Sequence, residues 1–143
     1  MPLSLIRLEA PPPPGVPVFS AQTAREVRAM LELAVQNGGT APLAQISGYR
    51  VAGKTGTSHK LEGGVYANKY VSSFVGFAPA SEPRLIVAVM IDEPSGAKHY
   101  GGDVAAPVFA NVMSGALRSL GIAPDAPLAP LQTASAEIVK EGI

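Results

Sequence analysis

Cysteine is absent from the 143 residues. That removes a disulfide framework, a thiolate metal site and a thiol nucleophile, and it leaves the redox compartment open. Histidine occurs only twice, so no metal site and no cofactor are expected. Charge of one sign is missing too, because eleven Lys and Arg balance eleven Asp and Glu. A net charge of zero leaves no electrostatic footprint for nucleic acid or an anionic membrane surface, and no basic run makes up for it. No nucleic-acid partner is expected. Long hydrophobic runs are lacking as well. The apolar opening "MPLSLIRL" falls far short of the roughly 20 residues a bilayer needs. It also lacks the basic start and small-residue cleavage site of a signal peptide, so no signal or anchor is expected in this chain. What remains is 47% hydrophobic and long enough for one domain with a core of its own.

Proline and glycine punctuate the chain. After the opening, which reads as a strand entered partway, "APPPPGVPVF" locks φ and removes backbone donors, making residues 1–19 an extended Pro-rich leading segment. Ser20 is an N-cap, and Ala24, Val27, Met30, Leu31, Ala34 and Val35 recur at helical spacing until "NGG" at Asn37 to Gly39 stops the helix. "YRVAGKTGT", "YVSSFVGFAP" from Tyr70 and "RLIVAVMID" from Arg84 are rich in β-formers, and "ASEP" joins the last two as an antiparallel hairpin. Leu85 to Ile91 shows no alternation, which predicts a strand covered on both faces in the middle of a sheet. A second helix follows, with Pro107 in its first turn, Phe109, Val112, Met113, Ala116, Leu117 and Leu120 as one stripe, and Gly121 as its end. Met30 and Met113 are expected in the core. From Ala123 the chain, rich in Pro and Ala, reads as a mobile tail over 123–143. The order helix, strand, loop, strand, strand, helix is a thin cover for a doubly buried strand, so residues 20–122 read as part of a larger domain.

"GYRVAGKTGTS", Gly48 to Ser58, satisfies two incompatible motifs. From Gly48 it is Gly-x-x-x-x-Gly-Lys-Thr, a phosphate-cradling loop; from Lys54 it is Lys-Thr-Gly, a signature of penicillin-binding enzymes. "LIVAVMID" even supplies an apolar strand ending in Asp92, as nucleotide-binding enzymes use for magnesium. A phosphate loop, however, needs a helix starting near its Lys-Thr. Here Gly56, Gly63 and Gly64 follow instead, and each interior helix glycine costs about 1 kcal/mol relative to alanine. Read as a strand, the segment makes chemical sense. Alternation puts Thr55 and Thr57 on one face, where two hydroxyls can bind a carboxylate, and Gly56 lets a peptide-like substrate approach the backbone. Lys54 adds positive charge, and a strand edge can pair with an extended substrate.

With its preceding helix, the run from Gly38 to Gly121 closely resembles the C-terminal part of the class B penicillin-binding proteins, in particular cell-division transpeptidases of the penicillin-binding protein 3 type. The resemblance implies an α/β (α+β) fold, the C-terminal part of the serine β-lactamase and penicillin-binding transpeptidase fold, with antiparallel strands packed against a C-terminal helix. It implies a serine acyltransferase that cross-links peptidoglycan: a serine attacks the D-Ala-D-Ala stem peptide, D-Ala leaves, and an amine of a neighbouring strand resolves the acyl-enzyme. β-Lactams imitate the dipeptide. By the same resemblance Lys54, Thr55, Gly56 and Thr57 are catalytic, with the Thr57 amide as an oxyanion donor. Thr55, Thr57, Ser58, His99, Tyr100 and Gly101 would contact substrate or β-lactam. The parent would be anchored in the bacterial inner membrane, face the periplasm and work at the septum with divisome proteins.

The same family needs a Ser-x-x-Lys at a helix start and a Ser-x-Asn, both ahead of Lys-Thr-Gly. The one Ser-x-x-Lys here, Ser95 to Lys98, comes after it in a Pro- and Gly-flanked loop, and Ser-x-Asn does not occur. Tyr66 to Asn68 has the form Tyr-x-Asn but reads as a solvated loop, as does His59, and Asp92 and Glu93 read as a turn before Pro94. The expectation is therefore a partial transpeptidase domain that carries one wall of a site, lacks the nucleophile, is inactive alone and needs an upstream half. A nucleotide-binding loop protein, a noncatalytic interaction module and a serine carboxypeptidase or β-lactamase relative are the alternatives.

Overall fold

Two adjacent glycines organise the sheet. Gly63 and Gly64 have φ of +58° and +85°, the signature of a two-residue turn whose twist matches that of the strands it joins. They connect β1 (Ala52–Glu62) to β2 (Val65–Ala78), which pair antiparallel with Glu62 opposite Val65. The computed structural model describes residues 15–127. The opening strand expected before residue 15 therefore lies outside the described residues. β3 (Leu85–Asp92) returns antiparallel on the other side of β2, giving the order β1-β2-β3.

The long hairpin overturns one expectation and removes one alternative. Residues 58–69 were expected to contain a loop but form strand up to the glycine turn and beyond it, so Tyr66 to Asn68 and His59 are strand residues. Their polar side chains are tolerated because this end of the hairpin is solvent-exposed. Nor is there a phosphate loop: Lys54 and Thr55 lie inside β1, which continues to Glu62 with no helix behind it.

β3 also differs from expectation. Leu85, Val87, Val89 and Ile91 pack against the core, whereas Ile86 and Met90 are each 75% exposed. Among the described residues β3 is an edge strand with one covered face, and β2 is the central one. An unbroken apolar run does not say what covers its second face, and among the described residues that face stays largely open from Ile86 to Met90.

The covered face lies under α3 (Ala106–Ser119), which follows the one-turn helix α2 (Gly101–Val104). Phe109, Met113 and Leu117 of α3 are fully buried. The Phe74 ring fits over two glycines: a Cβ on Gly53 would lie 2.5 Å from it, and one on Gly76 would lie 2.8 Å from it. Phe74 then meets Phe109 edge-on at 4.8 Å between centroids. Burying each such ring contributes about 1.5–3 kcal/mol.

On the other side, α1 (Ala21–Leu33) starts as expected at Ser20, whose Oγ accepts from the Thr23 amide at 3.0 Å. None of its residues is buried, and Met30, expected in the core, is 60% exposed. Polar ties hold the helix. Arg28 donates to the carbonyls of Ala80 and Ser81, and Glu32 pairs with Arg50 at 2.8 Å. Between α1 and the sheet runs an apolar groove of about 490 Å³, lined in part by Val27, Leu31, Phe77 and Ile86. Of the segment expected as a mobile tail, residues 123–127 are described. Asp125 accepts from the Arg50 amide and from the Ser81 hydroxyl, at 2.7 and 2.6 Å. The rest lies outside the described residues. No helix among the described residues is long and apolar enough to cross a membrane.

Candidate active-site wall

Strand alternation does place Thr55 and Thr57 on one face of β1. Their cross-strand partners on β2 are Phe74 and Ser72, so this is the face that α3 covers further along. Beyond the end of α3 the face opens, and the segment from His99 into the first residues of α2, Gly101 and Gly102, crosses it. Only glycine fits there: a Cβ on Gly101 would lie 2.2 Å from the Ser73 carbonyl oxygen and 2.6 Å from that of Gly56. A Cβ on Gly102 would lie 2.0 Å from the Thr40 carbonyl oxygen.

This close approach creates a small cavity of about 300 Å³, lined by Thr40, Thr55, Thr57, Tyr100, Gly101, Gly102 and Asp103. The Gly101 amide donates to Thr57 Oγ1 at 3.0 Å. Thr55 Oγ1 is 3.4 Å from Thr40 Oγ1, and Lys54 curls over Thr55, its Nζ 3.2 Å from Oγ1 and 3.1 Å from the carbonyl oxygen. Three threonine hydroxyls and an ammonium around a cavity of this size suit a carboxylate, which accepts from several donors at once.

The expected site residues thus divide. Thr55, Thr57, Tyr100 and Gly101 line the cavity, with Lys54 at its edge. Ser58 and Gly56 point to the opposite face by alternation, and the room left by the missing Cβ of Gly56 is occupied by Ser73 Oγ, 2.5 Å from where that Cβ would be. His99 stacks on Tyr70 at 3.8 Å and 16° and does not line the cavity. Tyr70 in turn touches the His59 ring at 4.5 Å, and His99 touches Tyr100 at the same distance, so a row of rings leads from the hairpin to the cavity. Lys98 pairs with Asp103 at 2.8 Å, which draws it into the α2 turn and away from a role as partner to Ser95.

Sequence reasoning missed Thr40, Asp103 and Ser72. Thr40 carried no signal, because it belongs to the turn after α1 and meets β1 only through the fold. The paired glycines at 101 and 102 did carry one, since adjacent glycines outside a turn mark close backbone approach. Also missed was a cluster at the free end of the sheet. Lys60 pairs with Asp92 at 3.0 Å and Glu93 at 2.7 Å, and Lys69 pairs with Glu62 at 2.7 Å. Hydrogen bonds donated to Glu93 and Asp92 hold the Lys60 ammonium above its usual range, and the bond from Lys69 holds the Glu62 carboxyl below its own.

Comparison with known proteins agrees with this architecture. Residues 2–114 match the family described as penicillin binding protein transpeptidase domain. The chain is 48% identical over 126 residues to the "Probable peptidoglycan D,D-transpeptidase PenA" of Neisseria flavescens, covering 87% of this chain and 32% of that protein. It is 46% identical over 126 residues to the peptidoglycan D,D-transpeptidase FtsI of Escherichia coli K12, covering 87% of this chain and 21% of that protein. The apo transpeptidase domain of Burkholderia pseudomallei penicillin-binding protein 3 superposes with a TM-score of 0.76 at 49% identity, over 85% of this chain and 37% of that one. The chain spans about a fifth to a third of the length of these curated relatives. A match over most of the chain, at nearly half identity and with the same fold, means that it belongs to the penicillin-binding protein transpeptidase domain family.

Proposed function

We propose that these 143 residues act as the Lys-Thr-Gly wall of a peptidoglycan D,D-transpeptidase that cross-links stem peptides during septal wall synthesis. One observation carries the reading: Thr55 and Thr57 line one cavity beneath Tyr100 and Gly101, with Lys54 beside them. In the proposed reaction a serine from residues outside this chain attacks the penultimate D-Ala carbonyl, D-Ala departs with the proton the serine gave up, and an amine of a second strand displaces the serine. Thr55 and Thr57 donate to the terminal carboxylate of the D-Ala-D-Ala stem, and Lys54 supplies positive charge. The Thr57 amide is one oxyanion donor, a contribution worth about a hundred- to a thousandfold in rate. Tyr100 and Gly101 close the cavity over the ligand, with His99 behind them, and Gly56 and Ser58 keep the strand narrow on its other face.

β-Lactams would enter the same site through their carboxylate. The proposed partner is the upstream half of the domain, which would cover the open side of β3, where Ile86 and Met90 are exposed. The whole protein would be membrane-anchored, with this domain in the periplasm beside division proteins. Alone, the chain would be inactive.

The test is intact mass after incubation with a penicillin, followed by peptide mapping. The expected result is no adduct on the folded chain, and a stoichiometric acyl adduct on a serine of the upstream half when the two are combined. An adduct on the chain alone, above all at Ser95, would sink the reading. Hydrolysis of the stem peptide with no transfer to an added amine would assign the parent to the carboxypeptidases instead.

A further inference from the structure

Ser72 is fully buried, and it is the only buried polar residue among those described. It lies directly across from Thr57 on the covered face of the sheet. Its hydroxyl donates to the His99 carbonyl in a short contact. Two residues further on, the Gly101 amide donates to Thr57 Oγ1. Ser72, His99, Gly101 and Thr57 therefore form a closed loop of contacts: strand to crossing segment through Ser72, and crossing segment back to the neighbouring strand through Gly101.

The chemistry of the loop is directional. A hydroxyl has one proton and two lone pairs. Because Thr57 Oγ1 accepts from Gly101, its own proton cannot point at that amide and is left to donate elsewhere. Without the Ser72 anchor the crossing segment can drift, and the bond that polarises Thr57 drifts with it.

We infer that Ser72 is a positioning residue: by anchoring His99 it holds the Gly101 amide on Thr57 and so sets the Thr57 hydroxyl to donate to the ligand's carboxylate. This rests on the proposed function above. The test measures second-order acylation rates of the complete transpeptidase containing these residues, using benzylpenicillin and its methyl ester as probes. Ser72→Ala should slow acylation by the acid about tenfold and leave the ester within about twofold, the order expected when a charge-assisted hydrogen bond is weakened. In a Thr57→Val background, Ser72→Ala should change the acid-to-ester ratio no further. Ser72→Cys, with similar volume and a weaker donor, should show the same split at smaller size and serves if the alanine variant does not fold.

Equal slowing of acid and ester would mean that Ser72 only supports the fold, and no slowing would mean that it does not act at all; either overturns the inference while the transpeptidase reading stands. A wild-type enzyme that neither probe acylates would overturn the transpeptidase reading itself, and the inference with it.

Discussion

Replacing Gly76 and Gly115 each by alanine should move stability in opposite directions. Gly76 lies on the central strand beneath the aromatic pair. A Cβ there would be 2.8 Å from Phe74 Cε1, 2.9 Å from Phe109 Cζ and 3.0 Å from the Ala52 carbonyl oxygen. Both rings are fully buried and cannot swing into solvent. Overpacking of this kind costs about 1–3 kcal/mol. Parting the edge-on ring contact adds about 0.5–1.5 kcal/mol, so Gly76→Ala should lose about 1.5–4.5 kcal/mol. Gly115 is inside α3, and nothing lies within 4 Å of where its Cβ would be. There the substitution only reduces the freedom of the unfolded chain and improves helix propensity, a gain of about 0.4–1 kcal/mol. Urea unfolding followed by far-ultraviolet circular dichroism reads both. With a slope of about 1–3 kcal/mol per molar urea, the Gly76→Ala midpoint should fall by about 0.5 M or more and the Gly115→Ala midpoint should rise by a few tenths. A Gly76→Ala protein as stable as its parent would refute the packing of Phe74 over the glycine pair. Equal losses at both positions would refute the account of α3.

Other perturbations test other parts of the chain. Ser20→Ala removes the oxygen that accepts from the Thr23 amide and should cost about 1 kcal/mol, measurable as a lowered urea midpoint. Burial works to raise the Asp125 carboxyl, but bonds from Ser81 and the Arg50 amide, together with the Arg50 charge, outweigh it and hold the carboxyl below its ordinary value of 3.8. A depressed folded value stabilises above the ordinary one and is lost as pH falls through the folded one. Asp125→Asn should therefore lower stability near neutrality and leave a flatter decline below about pH 4 in acid titrations of the urea midpoint. In the complete transpeptidase, Thr57→Val should slow acylation by a carboxylate-bearing penicillin about ten- to a hundredfold, the value of one hydrogen bond to a charged group. Unchanged acylation would remove Thr57 from the site.

Local rules carried much of the reading. Ser20 announced α1, Pro107 and Gly121 bracketed α3, and the Thr-Gly-Thr alternation was enough to put Thr55 and Thr57 on one face. Errors arose wherever a residue's state depends on what lies across from it. Met30 belongs to a helical stripe, but a stripe does not create the surface that buries it. Leu85 to Ile91 is apolar throughout, yet every second residue of it is exposed among the described residues. Polar residues from Ser58 to Lys69 read locally as a loop because their strand pairing is with each other across the glycine turn, at the wet end of the hairpin.

By itself the sequence determined most of the elements, the incompatibility of a phosphate loop with the glycines after Thr55, and the likeness to penicillin-binding transpeptidases. These depend on backbone conformational preference and on motif chemistry, which are written residue by residue. Only the tertiary structure decided that Thr40 and Asp103 line the same cavity as Thr55 and Thr57, that His99 stacks on Tyr70 away from it, and that Ser72 ties the crossing segment to the motif strand. Such contacts join residues 15 to 44 positions apart along the chain. No local pattern encodes them, because they exist only once the strands have paired and Gly101 has come down onto the sheet.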